Sequence, residues 1–143
     1  MRDEDQYTAM VDKFMKAYRD NDMEFTKNIF SEDAVFSVSD SDLSVSELVK
    51  AFSSSHTYFD DISQTDVYTA PMYYNARNIY TNVWYNWNTV ARSSGKVLKV
   101  KGYGWFKWEN GKAVEAYNAF DPTAYNAVCL LYTSDAADDQ ACV

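Results

Sequence analysis

Residues 101–122, KGYGWFKWENGKAVEAYNAFDP, read as two β-strands folded about a tight turn. Asn110-Gly111 is the dipeptide that a two-residue hairpin prefers, because both turn positions need positive φ. Upstream of it, the stretch Lys96–Trp108 divides by parity. Leu98, Val100, Gly102, Gly104, Phe106 and Trp108 fall on one face, and Val97, Lys99, Lys101, Tyr103, Trp105 and Lys107 on the other. Successive side chains of a strand point to opposite faces, so the lysine-bearing set is predicted outward. Downstream, Lys112–Phe120 ends at Asp121-Pro122. Val114, Ala116, Asn118 and Phe120 are expected to look inward, unless a β-bulge reverses one end of the strand.

Two more strands precede this hairpin. Arg77–Val90 is closed by Ser93-Ser94-Gly95, with Thr81, Val83, Tyr85, Trp87 and Thr89 inward and Tyr80, Asn82, Trp84, Asn86 and Asn88 outward. Ile62–Ala70 is expected to end at Pro71, which cannot donate to a sheet ladder. The first 60 residues carry helix signals instead. Tyr7, Met10, Val11, Phe14, Met15 and Tyr18 form one apolar stripe, with Asp3, Glu4 and Asp5 at the positive end of the helix dipole. Asn21 or Asp22 is expected to cap a short second helix carrying Phe25, Ile29 and Phe30, followed by a short strand over Ala34–Val38. Ser44 and Glu47 have capping-box spacing, flanked by the Leu43 and Leu48 staple, and open a third helix whose inner face is Val45, Leu48, Phe52, His56 and Phe59. The predicted class is α+β, with three N-terminal helices packed on a curved antiparallel sheet.

The chain has 143 residues, enough for one domain with a substantial core. Its net charge is −8 with scattered Lys and Arg, which speaks against nucleic-acid binding. No apolar run approaches the roughly 18 residues that a membrane helix needs. The acidic N-terminus shows no secretory signal, so a cytoplasmic protein is expected.

Residues 129–138, CLLYTSDAAD, resemble the translated end of a sequencing adapter. The expectation is a metagenomic read, with a domain over 1–127 and a non-native, disordered tail over 128–143. Both cysteines, Cys129 and Cys142, fall in that tail, so no disulfide or metal framework is expected in the domain.

The order of long helix, short helix, capped helix and meander resembles the nuclear-transport-factor-2-like (SnoaL-like) family over roughly residues 7–126. The carrying stretches are IFSEDAVFSV (29–38), YFDDIS (58–63) and the 101–122 run, whose GxGxF…NGKxxE…FDP pattern is the most specific. The resemblance implies a cone with a pocket at its wide end. It implies no single reaction, because the fold hosts isomerases, dehydratases, epoxide hydrolases, cyclases and binders. At the positions where ketosteroid isomerases carry a Tyr and two Asp, this chain carries Phe14, Val38 and Gly104. The Asp-Arg-Asp set of epoxide-hydrolase relatives cannot be assembled from Arg77 and Arg92 at strand ends. The two histidines of dehydratase relatives are reduced to His56.

His56 and Asp121 remain as candidate catalytic residues. Imidazole exchanges protons near neutrality, and Asp121 sits where SnoaL-like cyclases carry an acid near the pocket mouth. The alternatives are a hydrogen-bonded rim histidine and a turn-capping aspartate. Phe14, Tyr18, Tyr85, Trp87, Phe106 and Asn118 are the candidate ligand-binding residues, suited to a flat apolar or aromatic metabolite. No cofactor is expected. Outward Tyr80, Trp84, Tyr103, Trp105 and Tyr117 make an aromatic patch of the kind monomers rarely expose, which predicts a homodimer. The expected function is small-molecule binding, with cofactor-free isomerase, cyclase or lyase chemistry and non-catalytic binding or dimerisation as open alternatives.

Overall fold

The apolar stripe at the start of the chain becomes α1 (Gln6–Arg19), which buries Val11, Phe14, Met15, Ala17 and Tyr18. The structure is a computed structural model and describes residues 6–75, 78–121 and 123–132. Asp3–Asp5, expected at the helix dipole, lie outside the described residues, as does Arg77.

Asn21 acts differently from its expected role as a cap of the next helix. Its φ is +57°, and Asp22 N–H donates to the Ala17 carbonyl while Asn21 N–H donates to that of Tyr18. Those two bonds close the C-terminus of α1, and asparagine tolerates the left-handed position they require. The following element, Met23–Asn28, is a 3-10 helix, and the side chain of Asp22 makes no capping bond to it. Phe30, expected in that helix, instead begins β1 (Phe30–Val38), which folds back on β2 (Ser41–Leu43).

The capping box is present. Ser44 Oγ accepts from Glu47 N–H, the Glu47 carboxylate accepts from Ser44 N–H, and α2 runs Val45–Tyr58. Phe59 leaves the helix and starts β3 (Phe59–Asn75). Pro71 does not end β3, because β3 is the sheet's edge strand and the missing donor can face the open side. Asp61 and Asp66, at φ near +54°, mark two register shifts that let this long strand follow the curve of β4 (Asn78–Ala91).

β5 (Val97–Glu109) and β6 (Lys112–Phe120) complete a six-stranded sheet of order β2-β1-β6-β5-β4-β3. Asn110 and Gly111 both have positive φ, as the hairpin predicts. The sheet is antiparallel except that β1 lies parallel to β6. Inward residues of β4 and β5 follow the predicted parity: Thr81, Val83, Trp87, Thr89, Leu98, Phe106 and Trp108 are all buried. On β6 the parity slips at its start. Trp108 pairs with Ala113 and Lys107 with Glu115, so Val114 is the extra residue of a bulge and Ala113 takes the buried place predicted for it.

The helices close the concave face. Phe14 stands at the centre of this core, with its ring 5.5 Å from Phe106 and 5.9 Å from Phe30 and Phe36. A last helix, α3 (Thr123–Tyr132), had no counterpart in the predicted elements. It buries Tyr125 and Val128, and its backbone runs to Tyr132. The adapter-like residues beyond Tyr132 lie outside the described residues.

Candidate functional site

Between α1, α2, α3 and the bent sheet lies a cavity of about 90 Å³. Its wall is built by periodicity. Phe14 and Tyr18 stand one helical turn apart on α1, Phe52 and Ser55 do so on α2, and Val83, Tyr85 and Trp87 alternate on β4. Val100, Gly104 and Phe106 line it from β5, Asn118 and Phe120 from β6, and Tyr125 from α3. Phe14, Tyr18, Tyr85, Trp87, Phe106 and Asn118, the six residues singled out for ligand contact, are all in this wall.

Among the described residues the lining holds no charged side chain. Its polar side chains are Gln64, whose Oε1 accepts from Arg19 at 2.7 Å, and two further clusters. In the first, Trp87 Nε1 donates to the Tyr18 hydroxyl at 3.1 Å, and Ser55 Oγ and the Tyr125 hydroxyl share a bond at 2.5 Å. In the second, the Tyr85 hydroxyl donates to Asn118 Oδ1 at 2.5 Å.

The phenols are held neutral. Burial pushes Tyr18 from its ordinary value of 10.0 up to about 12, partly offset by hydrogen bonds from Ser55 and Trp87. Burial likewise pushes Tyr85 and Tyr125 upward, with the nearby Tyr18 phenol adding to both. A phenolate would be stranded in an apolar wall, so the hydroxyls stay hydrogen-bond donors across the physiological range.

Tyr85 reaches Asn118 by crossing β5 where that strand has no side chain. Its ring lies on Gly102, where a Cβ would sit only 2.2 Å from Tyr85 Cζ. Gly104, the next inward position, faces β6, and a Cβ there would lie 2.6 Å from the Tyr117 carbonyl. Gly102 makes the notch into which the phenol folds, and Gly104 lets the β6 backbone at Tyr117 and Asn118 come close. Tyr117 contributes to the cavity from beside this notch while its ring stacks outside against Trp105 at 6.0 Å.

The structure does not bring His56 and Asp121 into this wall. The His56 ring packs edge-on against Tyr18 and its Nε2 sits 2.6 Å from the Tyr18 carbonyl oxygen. Ser55, three residues after Phe52 on the same helix face, takes the inward position instead. Asp121 is exposed, and its Oδ1 accepts from both the backbone N–H and the hydroxyl of Thr123. Those bonds hold its carboxyl below the usual carboxylate range and start α3. Asp60 pairs with Arg92 at 2.8 Å, and Arg92 also donates to the His56 carbonyl.

Ser55 and Tyr125 escaped the sequence reading. The spacing of Ser55 from Phe52 was a usable signal. So was Asp121-Pro122 as a helix start, with an acceptor at the cap and proline next to it.

No protein-family model and no curated protein sequence matches the chain. Solved structures do. A candidate isomerase of Bacillus subtilis aligns at 15% identity and TM-score 0.65, covering 85% of this chain and 90% of that one. IdmH, a candidate polyketide cyclase of Streptomyces antibioticus, aligns at 13% identity and TM-score 0.66, over 87% of this chain and 99% of its own. A Catenulispora acidiphila protein with a ketosteroid isomerase-like fold aligns at 7% identity and TM-score 0.63, over 82% and 89%. This chain has the nuclear-transport-factor-2-like fold. In that fold's terms the cavity is the interior of the cone, with α3 closing it beside α2.

On the outside of the same cone, aromatic rings run edge to edge across four strands. Tyr68 meets Trp84, Trp84 meets Tyr103, Tyr80 meets Trp105, and Trp105 meets Tyr117, at centroid distances of 5.3–6.0 Å. Trp84 remains 41% exposed and Tyr68 64%. No helix among the described residues is long and apolar enough to cross a membrane.

Proposed function

We propose that this protein binds a small, neutral, largely apolar molecule inside the cone, and that chemistry carried out there is of the isomerase or cyclase kind. The observation that carries this reading is a cavity with an aromatic wall, no charged lining group among the described residues, and neutral hydrogen-bonding groups at Gln64 and in two clusters. Transfer of an unpaired ion into such a wall costs far more than transfer of a neutral ring, so charge is selected against. Neutral phenols can donate to an oxygen on which charge develops, which is how an electrophilic site assists enolisation or ring closure. The likeness to candidate isomerases and polyketide cyclases supports this direction through fold alone.

His56 and Asp121 enter as positioning residues. His56 bridges α2 to the carbonyl of Tyr18, and Asp121 sets the first turn of the helix that presents Tyr125. Toluene is a suitable first probe. Saturating toluene should raise the melting temperature by several degrees, because a ligand bound only by the folded state stabilises it by mass action. An unchanged melting temperature contradicts the reading.

The outer aromatic row supports a second element, a homodimer through the sheet's convex face. A charge placed at its centre should split it: Trp84→Glu is expected to halve the mass measured by light scattering. Equal masses for both proteins would sink that interface.

A further inference from the structure

The Tyr18, Ser55, Trp87 and Tyr125 cluster has more hydrogens than it can use internally. Trp87 Nε1–H, with no lone pair to offer, donates to the Tyr18 oxygen. Tyr18 thereby keeps its own hydroxyl hydrogen. Ser55 and Tyr125 share one bond between two hydroxyls, which leaves one more hydrogen over. Ser55 also serves Tyr18. Even with that third link, four donor groups in a row have three bonds between them. Among the described residues, at least one O–H hydrogen of this row therefore has no acceptor.

The imbalance matters because of where it lies. Ser55 is 2% exposed and Tyr125 is 3% exposed, so bulk water does not serve them, and both face the cavity. A buried hydrogen without an acceptor costs more than an idle lone pair on a hydroxyl oxygen. The complement that repairs it is an accepting oxygen. A hydrocarbon leaves the defect in place. A carboxylate could accept, but would bring its charge into a wall with no counter-ion among the described residues.

Resting on the binding reading above, we propose that this hydroxyl row is the seat for a carbonyl oxygen, and that the cavity selects neutral aryl ketones. Acetophenone and α-methylstyrene test it, since they share one shape and differ in C=O against C=CH2. By calorimetry acetophenone should bind at least about ten-fold tighter, the scale of one well-satisfied buried hydrogen bond, and benzoate weaker than either. The infrared carbonyl stretch of bound acetophenone should be lowered to a hydrogen-bonded value. Stripping the row with Tyr18→Phe, Ser55→Ala, Trp87→Phe and Tyr125→Phe together should bring the two probes within about three-fold while α-methylstyrene still binds. Should that variant fail to fold, the wild-type stretch decides. Equal affinities, or a carbonyl stretch matching that in hexane, would overturn the seat while leaving the pocket intact. Failure of α-methylstyrene and acetophenone alike to bind the wild type would overturn the binding reading beneath it.

Discussion

Phe14→Ala is expected to lower the unfolding free energy by about 3–5 kcal/mol, the usual cost of emptying a buried aromatic site. Phe14 is 7% exposed and packs against Phe30, Phe36, Phe52 and Phe106, which come from β1, α2 and β5. These neighbours are themselves pinned by strand pairing and helix packing, so they cannot collapse far into the gap. Edge-to-face contacts are lost in addition to buried area. Urea unfolding measures the effect through a lowered midpoint at unchanged slope. A loss below about 1 kcal/mol would mean that the core is not centred on this ring. Phe14→Leu, which keeps most of the volume, should recover much of the difference.

The second large effect concerns the cavity itself. Gly102→Ala puts a methyl group where the Tyr85 ring now lies, at 2.2 Å from Cζ. Backbone pairing holds Gly102 between Tyr85 on β4 and Phe120 on β6, so the ring yields rather than the strand. Rooted on the inward face, it can only lift into the cavity, losing Asn118 as it goes. Toluene affinity should fall at least about ten-fold, as one ring's worth of space is filled and the buried hydroxyl loses its acceptor. Adding Tyr85→Ala to Gly102→Ala removes the displaced ring and should restore binding. Unchanged affinity in Gly102→Ala alone would show that the notch does not shape the pocket.

Much of this architecture was legible because it rests on short-range rules. Asn110-Gly111 needs only its own φ preferences, Ser44 and Glu47 need only each other, and the alternation along β4 and β5 follows from a period of two. Of the six lining residues named from sequence, Phe14 and Tyr18 came from the stripe on α1, Tyr85, Trp87 and Phe106 from that alternation, and Asn118 from the same parity on β6. What was missed depends on distant partners. Ser55 is a small polar residue on an apolar stripe, and its meaning comes from Tyr125, 70 residues away. The parallel pairing of β1 with β6 and the bulge at Val114 are likewise decided by neighbours in space, not in sequence. His56 looked inward because it follows Phe52 by four residues. Ser55 follows by three and takes the inward place, turning the imidazole to the Tyr18 carbonyl at the helix interface. Asp121 looked like a pocket acid because SnoaL-like cyclases carry one near the pocket mouth; in the fold its carboxylate accepts from Thr123 at the start of α3.

The claim on which the rest depends is that the interior of the cone, and not its aromatic exterior, takes a neutral ring. Toluene titrated into isotopically labelled protein tests this residue by residue. The amide and side-chain shifts should saturate together and concentrate at Tyr18, Ser55, Val83, Trp87, Gly104, Phe106 and Tyr125. Shifts confined to Trp84, Tyr103 and Trp105, or a response that grows linearly without saturating, would contradict it.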